Sequence, residues 1–217
     1  MEGFPSHLAE RTRHRNSVPA PHGSGPVVVW LKSSFRLHEN PAIDLGRHIA
    51  AERNLPLLIY HGIDERYPHA SLRHHTMLLD AAVDMDEGCR KAGLRYVLHV
   101  ARDGHRPSVM KAFSQSASCI ITDLFPLPPW TNWVDSIAAS AACPVFDVDC
   151  HCVIPMPLFG NSVDRPYKFR DATKKMRKKR LQATWPTIDV RPEPYTGPLP
   201  FEPINVSEGI KNLSKRF

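Results

Sequence analysis

The chain has 217 residues, 42% of them hydrophobic, and a formal net charge of +6, which suits one sizeable core rather than two. No apolar run approaches the roughly 20 residues of a membrane helix, and the opening residues lack the charged-then-apolar layout of a secretory signal, so a soluble, cytoplasmic protein without a membrane partner is expected. Five cysteines in no regular framework argue for reduced thiols rather than a disulfide scaffold.

Residues 1–26 are polar, rich in His, Arg and Pro, and read as a flexible arm. Val27-Val28-Val29-Trp30-Leu31 is a β-branched run, apolar on both faces, as buried parallel strands are. Asn40-Pro41 supplies a helix N-cap and a first helical position, Ala42, Leu45 and Ile49 follow at helical spacing, and the helix should stop near Asn54-Leu55-Pro56. Leu57-Leu58-Ile59-Tyr60 is a second strand, parallel to the first by a right-handed crossover. A helix from about Ser71 carries Leu78, Ala82, Met85 and Cys89 on one stripe, with Gly93 as its stop. Three further strands are expected at Tyr96–Val100, Cys119–Thr122 and Val145–Val148, separated by helical stripes through Val109, Met110 and Phe113, and through Trp130, Val134, Ile137 and Ala141. Five strands alternating with helices predict an open, doubly wound, five-stranded parallel α/β sheet over residues 27–185.

Beyond Pro155 a proline-rich turn leads to a basic helix with Phe169, Ala172 and Met176, ending near Leu181. Residues 186–217 begin with Pro186, Pro192, Pro194, Pro198, Pro200 and Pro203, a linker composition. The last residues could begin another helix with no core to join, so the expectation is a chain that leads towards a further domain.

In such a sheet the ligand crevice lies beyond the carboxyl ends of the strands, where strand order reverses. That edge offers residues 32–36, 61–66, 123–130 and 149–151. No Gly-x-Gly-x-x-Gly, Gly-x-x-x-x-Gly-Lys-Ser/Thr or Gly-x-Ser-x-Gly pattern is present, which argues against a dinucleotide oxidoreductase, a P-loop NTPase and the commonest α/β hydrolase. Cys150-His151-Cys152 has no second ligand pair, and zinc needs about four ligands, so buried thiols at a strand end are the simpler reading. None of the 12 histidines stands beside a carboxylate or nucleophile at a spacing that would assign acid–base work. Lys174-Lys175-Met176-Arg177-Lys178-Lys179-Arg180 concentrates six cations on one helix; it suits phosphates or an acidic surface, or a solvated face with Met176 turned inward.

Several segments, in order, resemble the N-terminal α/β domain of the DNA photolyase/cryptochrome family, and most nearly the class II deoxyribodipyrimidine photolyases. They are Val29-Trp30-Leu31 with Arg36, Asn40 and Ala42; Leu55–Tyr60 followed by Tyr67-Pro68-x-Ala70-Ser71-x-Arg73-His74; Ile121-Thr122-Asp123 before a Pro-rich loop; and Val148–Pro155, similar to an Asp-x-His-Asn-x-x-Pro segment, with Tyr167 and Arg170 after it. Cys152 stands where the family usually has Asn. The resemblance implies that this domain binds an antenna chromophore, a deazaflavin or a folate, or else acts as scaffolding. It also implies a helical FAD-binding domain, in the same or a separate chain, that repairs damaged DNA, so the chain alone would be catalytically incomplete. Strand-end position and resemblance together nominate Lys32, Ser34, Arg36, Asn40, Asp123 and Asp149 as chromophore-binding residues. Arg36 would neutralise an anionic group, and Asp123 or Asp149 would accept hydrogen bonds; a salt bridge fixing the loops is the alternative for Arg36 and Asp149. Two rival readings are a nucleotide-binding module of the same architecture, such as an ATP-binding stress-type protein, and a ligand-free interaction domain. The former needs a glycine-rich loop after the fourth strand, where this chain has Asp123-Leu124-Phe125-Pro126-Leu127-Pro128-Pro129.

Overall fold

A computed structural model describes residues 3–206 apart from 20, 22 and 161. The elements in chain order are α1 (Ser6–Ala9), β1 (Thr12–His14), β2 (Val27–Leu31), α2 (Pro41–Glu52), β3 (Leu57–Asp64), α3 (Leu72–Lys91), β4 (Tyr96–Ala101), α4 (Val109–Ser116), β5 (Cys119–Asp123), α5 (Trp130–Ser140), β6 (Val145–Val148), α6 (Met156–Phe159) and α7 (Pro166–Leu181). They form one sheet of order β1-β6-β5-β2-β3-β4. The pairs β6–β5, β5–β2, β2–β3 and β3–β4 are parallel, as the buried β-branched runs predict.

Strand alternation divides the core in two. Val27, Val29 and Leu31 of β2, with Leu57, Ile59 and Ile63 of β3, pack under α2 and α3. Val28 and Trp30, with Leu58 and Tyr60, pack under α4 and α5 on the other face. Fully burying each such side chain stabilises by about 1.5–3 kcal/mol relative to exposure. The helix ends follow local chemistry. Asn40 Oδ1 accepts hydrogen bonds from the Ala42 and Ile43 amides at the start of α2, and Asn54, just past its end, takes a φ of 52°, a left-handed geometry Asn tolerates. Ser71 caps α3 by accepting from His74 N, and Gly93 (φ 70°) follows its end.

A helical glycine, Gly46, lets α2 approach the sheet: a Cβ there would lie 2.5 Å from Val29 Cγ2.

Two segments differ from their composition. Within residues 1–26, expected to be a free arm, α1 and β1 pack against the sheet, and β1 adds a sixth strand, antiparallel to β6. Polar residues make that joint: Arg13 pairs through two bonds with buried Asp147 (2.9 and 2.6 Å), Arg15 reaches the same carboxylate at 2.8 Å, and Arg11 donates to Cys152 O at 2.8 Å. Three residues are too short a strand to show alternation. Within the expected linker, residues 193–206 strap across the sheet. Leu57 N donates to Glu193 O, Tyr195 N to Leu57 O and Ile204 N to Leu98 O (2.8, 2.9 and 2.9 Å), so the strap meets part of edge strand β4. Phe201 and Val206 are buried, on opposite faces. The prolines mark its bends, while apolar residues between them anchor it.

Candidate functional site

The order of strands reverses between β2 and β5. Chain runs from β2 out to β3 and β4 on one side, then returns to β5 and β6 on the other, and ligands of such sheets bind beyond that point. Here the crevice mouth is filled by a buried ion pair. Lys32 Nζ lies 3.2 Å from Asp123 Oδ1, with side-chain exposures of 3% and 0%, and it also bonds Thr122 Oγ1 and, at 2.7 Å, Asp123 O. The amides of Lys32, Ser33 and Ser34 all donate to the Asp123 carboxylate (3.0, 2.6 and 2.6 Å), as does Ser33 Oγ at 2.8 Å. Burial would raise the Asp123 carboxyl, but the Lys32 charge and the Ser33 and Ser34 hydrogen bonds outweigh it and hold the group below the carboxylate range. Burial lowers Lys32 against the pull of Asp123.

A second knot ties the next loops. Asp149 accepts from the amides of His151, Cys152 and Met156 (3.0, 3.0 and 2.8 Å). Arg36 donates to Cys150 O at 2.7 Å and Glu39 O at 3.0 Å, and Asn40 Nδ2 to Ser34 O and Arg36 O (2.9 and 2.8 Å). Cys150 is buried, and burial pushes its thiol up to about 12. The structure therefore brings the six nominated residues into two adjoining hydrogen-bonded clusters at the ends of β2, β5 and β6.

An open cavity lies beside these clusters, over the ends of β2, β3 and β4, with a volume of about 680 Å³, within the usual 300–1,000 Å³ of small-molecule sites. Of the six nominated residues, Lys32 alone lines it; Ser34, Arg36, Asn40, Asp123 and Asp149 do not. Its walls are aromatic. Trp130 and Trp133 approach each other at 5.9 Å between ring centroids, and Tyr67 meets them at 6.4 and 6.2 Å. Trp30 faces Lys32 Nζ at 4.9 Å, and Phe35 covers His61 at 4.2 Å. Three of the four tryptophans line this space. Trp133 remains 40% exposed, so one aromatic face meets the opening.

Seven lining residues are histidines or charged: Lys32, His61, Asp64, Arg66, His74, His75 and His99. His61 is fully buried, holds a 2.7 Å hydrogen bond between Nδ1 and Tyr96 Oη, and is lowered to about 3 by burial, so it is neutral at physiological pH. His99 contacts Tyr60 Oη and His105 O (3.4 and 3.2 Å), braced by Phe201 at 4.9 Å. Asp64, Arg66 and His74 stand at the rim. An apolar, ring-walled space with charge at its edge fits a planar heterocycle with a polar tail. The strand-end ranges 32–36, 61–66 and 123–130 include the lining residues Lys32, Phe35, His61, Asp64, Arg66 and Trp130, but of these only Lys32 was nominated. The usable signal was aromatic residues between each strand and the following helix or at that helix's start: Phe35, Tyr67, Trp130 and Trp133.

Among the described residues, no helix is long and apolar enough to cross a membrane. The sequence matches the profile of the DNA photolyase family over residues 27–193. It is similar to a deoxyribodipyrimidine photo-lyase of Methanothermobacter thermautotrophicus, 29% identical over 148 residues, covering 68% of this chain and 33% of that protein. It is similar also to one of Potorous tridactylus, 27% identical over 136 residues, covering 61% and 25%. The chain thus spans about a third or less of the curated relatives it matches. A universal stress protein solved with cAMP aligns over 59% of this chain and 100% of its own at 16% identity, but its TM-score of 0.35 is too low to favour a nucleotide-binding reading. With the match spanning every parallel strand and the helices that cover them, the chain belongs to the DNA photolyase family.

Proposed function

We propose that this chain is the antenna-carrying α/β part of a light-dependent DNA-repair flavoprotein, and that its cavity holds a planar chromophore of the deazaflavin or folate class. The observation that carries this reading is the aromatic-walled cavity beside the strand-order reversal, lined by Trp30, Tyr67, Trp130 and Trp133. Such a chromophore, when bound, absorbs light and passes the energy on. The work of this chain is to bind and orient it. Trp130, Trp133 and Tyr67 offer ring faces, worth about 0.5–1.5 kcal/mol per aromatic pair beyond area burial. Leu78, Val109 and Met110 keep water from the interior, and Arg66 at the rim can neutralise an anionic tail.

In this reading Lys32 contributes to both wall and loop, while Ser34, Arg36, Asn40, Asp123 and Asp149 tie the β2, β5 and β6 loops to one another beside the cavity. FAD, electron transfer and the flipped pyrimidine dimer belong to a helical domain, in the same or a separate chain. The purified chain, mixed with a deazaflavin or a reduced folate and passed through gel filtration, should carry one of them in equimolar amount, with quenched tryptophan fluorescence. Failure of both to comigrate, with stabilisation by ATP instead, would replace this reading with the nucleotide-binding one.

A further inference from the structure

The helix α7 is held to the body along one side and is cationic along the other. Thr173 is its buried residue. Arg180 pairs with Glu10 at 2.6 Å, and Phe169 meets Phe159 edge-on at 5.2 Å. At 100° per residue these contacts fall on one flank. The opposite flank carries Lys174, Lys175, Lys178 and Lys179, all exposed. Among the described residues none of these four is in an ion pair, whereas Lys168 pairs with Asp164 and Arg170 with Asp171 earlier on the helix.

That arrangement has a local cost. Lys174–Lys178 and Lys175–Lys179 are like charges at i,i+4, each pair destabilising a helix by about 0.2–0.5 kcal/mol. The helix dipole rewards cations in the last turn, which accounts for Lys178 and Lys179 but not for Lys174 and Lys175. A face that needs only solubility would intersperse signs.

We infer that the outer face of α7 is a docking surface for the phosphate backbone of duplex DNA, bound without reading sequence. Protein interfaces deplete lysine and centre on aromatic or apolar anchors, and residues 174–179 offer Met176 alone, on the flank. Single strands are held by base stacking on aromatic side chains, and this segment has none. What remains is charge at helical spacing. Lys175 and Lys179 stand one turn, about 6 Å, apart, a scale at which neighbouring phosphates can be neutralised together. This inference does not depend on what the cavity binds.

The test is the salt dependence of binding, by fluorescence anisotropy, of the 217-residue chain to a labelled, undamaged duplex. Each neutralised phosphate contributes about −0.9 to the slope of log K against log salt, so four lysines predict a slope of about −3.6. The variant Lys174→Gln/Lys175→Gln/Lys178→Gln/Lys179→Gln should lose most of that slope with unchanged circular dichroism, and the corresponding four Lys→Arg changes should restore it. The double variant Lys175→Gln/Lys179→Gln should lose half, which keeps the test decisive if the fourfold variant unfolds. An unchanged slope in the double variant, no binding at low salt, or equal affinity for polyglutamate would overturn the assignment.

Discussion

Replacing Asp123 by Asn removes the counter-charge of a buried ammonium while keeping the side chain's size. Lys32 would keep Thr122 Oγ1 and Asp123 O as partners, but not the carboxylate 3.2 Å away. The new amide would also turn an N–H group towards backbone donors of Lys32, Ser33 and Ser34 that now converge on oxygen. Breaking a buried pair from one side costs about 3–5 kcal/mol, and a chain of this size loses roughly 2–4 °C in Tm per kcal/mol, so a fall of about 6–20 °C is expected. Urea unfolding followed by circular dichroism measures the loss directly. The double variant Lys32→Met/Asp123→Asn should be less damaged than Asp123→Asn alone, since the orphaned charge is gone. The sign with pH is fixed by the depressed Asp123 carboxyl: its contribution is present above its ordinary value of 3.8 and is lost as pH falls through the lower folded value. The variant should lack that acid-dependent component. A cost below about 1 kcal/mol for Asp123→Asn, the level of an exposed pair, would refute the account of this loop junction.

His61 is held neutral, lowered to about 3, so the unfolded chain takes up its proton first as pH drops below about 6.5. Stability should therefore decline between about pH 6.5 and the folded value, and His61→Gln should flatten that decline in urea midpoints measured at pH 7 and pH 5. Gly46→Ala would raise intrinsic helix propensity by about 1 kcal/mol, yet its methyl would meet Val29 Cγ2 at 2.5 Å. Overpacking costs about 1–3 kcal/mol, so after the propensity gain a net loss of up to about 2 kcal/mol is expected, and an increase in Tm would contradict the close approach of α2.

The parallel strands and their helices were legible because each is announced by strong local chemistry. The run Val27–Leu31 is buried end to end, and Asn40, Ser71 and Gly93 act where their side chains or backbone freedom predict. The joint of β1 was not legible, because its affinity for β6 comes from Arg13 and Arg15 on Asp147, more than 130 residues away in sequence. The strap over residues 193–206 was hidden by its prolines, although Tyr195, Leu199, Phe201 and Ile204 between them pack on the core.

The site was half legible. Strand ends and resemblance picked polar residues after β2, β5 and β6, and these do cluster. Sequence alone does not say whether a polar group at a strand end faces a ligand or another loop. Asp123 and Asp149 accept converging backbone amides, which only the folded loops reveal. The cavity instead recruits Tyr67 from the loop after β3 and Trp130 and Trp133 from α5, elements distant in sequence whose meeting depends on the strand order.

The central claim, that the aromatic cavity carries the chromophore, is tested most directly by comparing dissociation constants of two variants for whichever chromophore the chain binds. Trp130→Ala/Trp133→Ala removes two ring faces, and at about 0.5–1.5 kcal/mol each should weaken binding roughly 5- to 150-fold. Arg36→Ala, outside the cavity, should leave it within about twofold, which is under 0.5 kcal/mol. The reverse pattern, with Arg36→Ala abolishing binding and the double tryptophan variant binding normally, would place the chromophore among the loop residues and contradict the account.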